Sequence, residues 1–262
     1  MDPNHPLLRL ARELAAPTTP GEPSSRPRLS IVRTGDLLHV DFYGSPFEEA
    51  FETVCTALCD DEVAPVLASV SLRCPDQGMN GTCSFGLEAL VNRRSSFPAL
   101  QSLSLQQNTP ETHNRIVIGE YEEGGVLGTL LKAAPALESL VAPSAPDRSF
   151  FELPNQPLRY LNVDSGYDTQ NFVANLAESS SFPKLEHLEF GEYHETYMDD
   201  FASRCTPKAD YRRLFTSPAF GSVRFFRWRN PVFSREEIAE LCALCPQKGL
   251  QFQVIRYSAE YV

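Results

Sequence analysis

The stretch Phe97-Pro-Ala-Leu-Gln-Ser-Leu-Ser-Leu-Gln-Gln-Asn108 places apolar residues at Leu100, Leu103 and Leu105 and ends on Asn108, the pattern L-x-x-L-x-L-x-x-N. The same apolar spacing recurs at Leu67, Val70 and Leu72, then at Leu137, Leu140 and Ala142, and at Leu158, Leu161 and Val163. It returns at Leu185, Leu188 and Phe190, and at Val223, Phe226 and Trp228. Pro65, Pro98, Pro135, Pro157 and Pro183 each stand one or two residues before the first apolar position. A proline there ends the preceding element and presets an extended chain. A spacing repeated six times in phase is the signature of an internally repeated architecture.

Helix-period segments separate the copies. They are Phe85, Leu87, Leu90 and Val91; then Val126, Leu127, Leu130 and Leu131; then Phe172, Val173 and Leu176 after a candidate N-cap, Asp168. Tyr211, Leu214 and Phe215 form a shorter one. Ile238, Leu241, Cys242 and Cys245 follow a capping box at Ser234 and Glu237. Alternating strands and helices predict parallel strands with helical crossovers. A doubly wound domain shares that order, but its buried strands read as continuous apolar runs. Here "LQSLSL", "LEHLEF" and "LRYLNV" are half polar, so one face of the sheet meets solvent, and no Gly-rich phosphate loop follows a strand.

Upstream, His5 to Leu14 is amphipathic and Ala16 to Arg28 has a linker's composition. Leu29 and Ile31 share one face, and Leu38, Val40 and Phe42 another, with Gly35 between the runs, which predicts a β-hairpin. Ser45-Pro46-Phe47-Glu48 predicts a helix start with a capping box. Leu250, Phe252 and Val254 predict a closing edge strand. The predicted organisation is an N-terminal segment and linker over 1–27, a hairpin and helix cap over 28–62, and a repeat region over 63–262.

These residues resemble the leucine-rich-repeat superfamily, and more narrowly an uncharacterised group of bacterial cytoplasmic proteins with irregular repeats. The resemblance covers roughly Val63 to Val262. It implies an α/β solenoid, a horseshoe with parallel strands on the concave face, helices on the convex face and a strand–helix cap, used for protein recognition. First apolar positions at 67, 100, 137, 158, 185 and 223 leave steps of 33, 37, 21, 27 and 38 residues. Regular repeats of this class run about 20–29.

The net charge of −11 disfavours nucleic-acid partners; it suits a basic protein partner or, as for most acidic chains, simply a well-solvated surface. Seven cysteines, an odd number in a chain of this size, point to a reducing compartment. With no signal peptide and no membrane-length apolar run, the expected location is the cytoplasm and no membrane partner is expected. Cys242-Ala-Leu-Cys245, Cys55 and Cys59 read as core residues, and no cofactor is expected. His187, His194, Glu189, Glu192 and Glu195 do not converge across a strand and a loop, so no metal is expected. Asp199, Asp200 and Glu195 read as a solvated acidic loop.

Outward positions carry the functional signal. In register, one row reads Ser69, Ser102, Ser139, Tyr160, His187 and Phe225, and the next Ser71, Ser104, Val141, Asn162, Glu189 and Arg227. The first half is small and serine-lined; the second is aromatic and charged. Arg229, Glu192 and Tyr193 extend its edge. Tyr160, Asn162, His187, Glu189, Glu192, Tyr193, Phe225, Arg227 and Arg229 are therefore the candidate partner-binding residues. Two readings of the ladder stand: a docking surface, or a brace that packs against itself. The insert Gln106 to Gly125 is a second candidate surface, with a tolerated repeat-to-repeat insertion the favoured reading of it. The functional expectation is non-catalytic protein recognition, with an immunity-type inhibitor of a bacterial toxin or effector as one version and a scaffold of a multi-protein pathway as another. The competing class is an enzyme with an acidic site in 189–200.

Overall fold

The computed structural model describes residues 4–15, 26–76, 78, 81–92, 95–192, 201–247 and 249–257. Helix α1 (Pro6–Leu14) precedes an antiparallel hairpin of β1 (Arg28–Thr34) and β2 (Leu37–Tyr43), then helix α2 (Glu49–Leu58). Strands β3 (Leu67–Arg73), β4 (Thr82–Phe85), β5 (Ser102–Leu105) and β6 (Arg115–Ile118) follow, with helix α3 (Glu88–Asn92) between β4 and β5. Next come α4 (Val126–Ala133), β7 (Ser139–Ala142), β8 (Tyr160–Asp164), α5 (Phe172–Glu178) and β9 (His187–Gly191). The chain closes with α6 (Phe201–Arg204), α7 (Lys208–Thr216), β10 (Phe225–Arg229), α8 (Arg235–Cys242) and β11 (Gln251–Ile255).

The result is a mixed α/β fold built on one nine-stranded sheet, ordered β1-β2-β3-β5-β7-β8-β9-β10-β11. Every pairing in it except β1 with β2 is parallel. Strand order follows chain order because each crossover returns the chain beside the strand it has just left. The entries are locked to one another: Glu138 and Ser139 N–H donate to the Gln101 carbonyl, and Arg159 and Tyr160 to that of Glu138. Glu186 and His187 donate to Arg159, and Arg224 and Phe225 to Glu186.

The apolar spacing dictates this arrangement. All three apolar positions of all six copies are buried, from Leu67 to Trp228. They face the helices, whose layer runs in the same order: α2 adjoins α3, α3 adjoins α4, α5 adjoins α7 and α7 adjoins α8. The alternate positions of β5 and β7 are only half-buried, so the other face of the sheet is the open one. The C-terminal core is aromatic. Trp228 lies 4.2 Å from Tyr211, and Phe215, Phe220, Phe226 and Phe252 pack around them. At the N-terminal end of the continuous core, helix α1 docks Leu7 and Leu10 against α2 and β1. Among the described residues no helix is long and apolar enough to cross a membrane.

Several local expectations are corrected. Leu29 pairs with Phe42 and Ile31 with Val40, so the apolar residues of both hairpin strands share one face. Helix α2 starts at Glu49: the Ser45 hydroxyl accepts from Phe47 N in a turn instead of capping the helix. Phe85 ends strand β4, leaving a helix of only five residues after it. Asp168 accepts from Gln170 N, and α5 is entered through Asn171 in a left-handed conformation. The capping box at Ser234 and Glu237 forms as predicted. The predicted closing strand is β11, parallel to β10. The linker over 16–25 lies outside the described residues.

The insert at 106–125 is built into the fold. Its strand β6 pairs with β4 in a small second sheet. Asn108 exchanges two hydrogen bonds with the Ile116 backbone. The buried Glu123 carboxylate accepts from Gly125, Leu127 and Asp147 N–H, tying the first turn of α4 to the next crossover. That pattern holds the segment to the domain, with Tyr121 exposed on it.

Because Leu161 is fully buried in the centre of the sheet, Leu161→Ala is expected to cost about 3 kcal/mol by urea unfolding. A loss below about 1 kcal/mol would contradict the packing described.

Candidate functional site on the open face

The strand register assembles the site. Ser69, Ser102, Ser139, Tyr160, His187 and Phe225 fall in one row across β3, β5, β7, β8, β9 and β10. Ser71, Ser104, Val141, Asn162, Glu189 and Arg227 fall in the next. Two residues further on, a third row contains Asp164, Gly191 and Arg229.

In the first row the rings stack in sequence. The His187 ring is 4.6 Å from that of Tyr160 and 4.2 Å from that of Phe225, nearly parallel to the latter. Arg227 extends this stack, with its guanidinium carbon 5.2 Å from the Phe225 ring centre and its Nε donating to Gln253 Oε1 at 2.8 Å. Tyr160, His187, Phe225 and Arg227 all remain partly exposed.

Beneath them lies a buried charge network. Glu189, 2% exposed, is held at both oxygens. Its Oε1 accepts from the Tyr160 hydroxyl at 3.0 Å and lies 2.8 Å from His187 Nε2. Its Oε2 accepts from Arg227 at 2.9 Å and Arg229 at 3.3 Å. Burial alone would raise this carboxyl's pKa. The His187 hydrogen bond, the Arg227 charge, the Tyr160 hydroxyl and the Arg229 charge outweigh it, so the net direction is down. Tyr160 moves the other way: burial first, then the Glu189 charge, raises its hydroxyl. Glu189 therefore stays ionised and Tyr160 stays a donor, which keeps both in one geometry.

Arg229 Nη2 donates to Asn162 Oδ1 at 2.8 Å, to Asp164 Oδ1 at 2.9 Å and to the Val163 carbonyl at 3.2 Å. Reaching Asp164 means crossing strand β9, and Gly191 stands at that crossing. Any Cβ at 191 would collide with Asp164 Oδ1 and crowd Arg229 Nε at 3.2 Å. Glycine inside a strand here marks a close approach of side chains. Burying two carboxylates and a guanidinium costs several kcal/mol per ion, which only dense mutual pairing offsets.

The sequence-predicted residues thus divide. Tyr160, His187, Phe225 and Arg227 reach the surface. Asn162, Glu189 and Arg229 are buried, so they shape the face through their neighbours instead of contacting a partner themselves. Glu192 is a correction: it turns to the helix side, where it is 3% exposed and accepts from the Tyr211 hydroxyl and, at 3.1 Å, from Thr206 N. Tyr193, His194, Glu195, Asp199 and Asp200 lie outside the described residues. Asp164, Gly191 and Gln253 were not singled out from sequence. Extending the alternation by one more position exposes the first two, since Asp164, Gly191 and Arg229 then align.

Two of the cysteines read as packing residues. Burial pushes the Cys55 thiol up to about 12 and the Cys245 thiol up to about 11, far from nucleophilic use. Among the described residues no three His, Cys, Asp or Glu side chains gather as metal ligands would. No protein-family model matches this sequence, and neither does any curated protein.

Glu192 supplies a pH signature. Burial raises it from 4.5 to about 7, only partly countered by its two neutral donors. Below the unfolded value the carboxyl is protonated in both states and costs nothing. Between pH 4.5 and 7 the unfolded chain ionises more readily, so stability falls as pH rises, by on the order of 3 kcal/mol in total. Glu192→Gln is expected to remove this slope, making the variant the more stable protein at pH 8. Parallel stability–pH curves from chemical denaturation would contradict the assignment.

Proposed function

We propose that this chain is a non-catalytic protein-recognition module of the leucine-rich-repeat type, a solenoid whose strands line the concave side of a horseshoe. A protein partner docks on the C-terminal half of that face. One observation carries the reading: a partly exposed stack of Tyr160, His187, Phe225 and Arg227 rests on the buried charges of Glu189, Arg229 and Asp164. Apolar residues would brace a sheet as well or better, because a buried ion pair is often no more stabilising than its hydrophobic replacement. A network that fixes aromatic and guanidinium groups at the surface lowers the ordering cost of binding, and tyrosine, other aromatics and arginine are the usual interface anchors.

The serine rows beside it leave a low floor next to the raised aromatic half, an arrangement that accepts a protruding element of a partner. The net charge of −11 favours a basic partner through attraction at long range. An inhibitor of immunity type, covering a basic toxin or effector in the cytoplasm, is the specific version of this proposal. Glu189 is an unsuitable general acid or base because both of its oxygens are already held.

The test begins with the partner that co-purifies with the native protein. Phe225→Ala and Arg227→Glu should each weaken its affinity at least about tenfold in calorimetric titration, with circular dichroism unchanged. Ser104→Ala on the serine half should change it less than about threefold. Wild-type affinity in both face variants removes the proposed docking surface.

A further inference from the structure

A second chemistry lies away from the open face, where β3 gives way to β4. Cys74 follows the last residue of β3 and Cys83 is the second residue of β4, and both are buried. Their sulfurs stand 2.7 Å apart, well inside the van der Waals separation of two thiols. The segment between them is anchored at both ends: Cys74 N–H donates to Gln106 Oε1 at 3.0 Å, and Cys83 sits in the ladder opposite Ile116. No rotation of a long side chain brought these sulfurs together. The backbone path places them there.

We propose that Cys74 and Cys83 are a thiol pair that converts to an intramolecular disulfide on exchange with a small-molecule disulfide. The Cys83 thiolate attacks one sulfur of the reagent, forming a mixed disulfide and releasing one reagent thiolate. The Cys74 thiolate then attacks the Cys83 sulfur of that mixed disulfide, closing the bridge and releasing the second. Two protein thiols lose their protons and two electrons, and the reagent leaves as two thiols. Attack by Cys74 first would give the same bridge through the same two exchanges. Cys242 and Cys245, only three residues apart at the end of α8, are both partly exposed.

Closing the bridge would fix the segment that holds the insert. Asp76, two residues past Cys74, accepts from His113 N–H at 3.1 Å and lies 2.9 Å from His113 Nδ1. This inference is independent of the proposed docking face.

The experiment exposes the full chain to oxidised glutathione, both as folded protein and during refolding from denaturant, so that burial of the sulfurs does not limit access. Acid quenching, alkylation and peptide mapping then locate any bridge. The expected result is one cross-link joining the Cys74 and Cys83 peptides, with the denatured thiol count falling from seven to five and returning to seven on reduction. Cys74→Ser should abolish that cross-link while Cys242→Ser leaves it intact. Alkylation of both Cys74 and Cys83 under the two conditions, or bridges and glutathione adducts distributed over other cysteines, would overturn the proposal.

Discussion

Arg229 reaches across strand β9 to Asp164, and it can do so only because residue 191 has no side chain. From the same position it touches Glu189, whose other contacts are Arg227, Tyr160 and His187. Three neighbouring strands are thus bound through side chains as well as through their backbone ladders. The stacked rings above inherit their positions from these charges. If Arg229 were lost, two buried carboxylates would lack their shared cation, a defect that typically costs 3–5 kcal/mol. Fold and surface therefore meet at one desolvated cluster.

Much of the fold was legible in the sequence because burial follows periodicity. The spacing of Leu100, Leu103 and Leu105 specifies which side chains enter the core, and the five other copies repeat it. Register then follows, since a slip of one residue would turn every apolar side chain to water. The rows from Ser69 to Phe225 and from Ser71 to Arg227 could accordingly be written down from spacing alone. What escaped was local and short. The Arg115–Ile118 strand has only four residues and lies in an insert, yet its β-branched run was a usable signal. Phe85 fits a helical period as well as a strand's, and only pairing with Ile118 decides the matter.

The candidate site was legible as a set of positions and not as a division of labour. Alternation identifies Glu189 and Arg229 as facing the open side, but burial there depends on what crosses above them. Neighbouring Arg227, Tyr160 and His187 cover Glu189, a tertiary effect that spacing does not encode. Glu192 failed for a simpler reason: it stands three residues past Glu189, an odd step, so alternation itself turns it to the helix side with Leu188 and Phe190. Its carboxyl instead enters the aromatic core beside Tyr211. The open face thus gains a rigid floor, and the core gains an isolated titrating group, from residues only three apart in the chain.

The account depends on Glu189 and Arg229 acting as one unit, and a double-mutant cycle measures that directly. Unfolding free energies of the wild type, Glu189→Gln, Arg229→Met and the double variant give the coupling between the two sites. A shared buried network predicts strong non-additivity, with the double variant at least about 1.5 kcal/mol more stable than the sum of the single losses implies. Additivity within about 0.5 kcal/mol would mean that the two side chains stabilise the sheet separately, and would contradict the account.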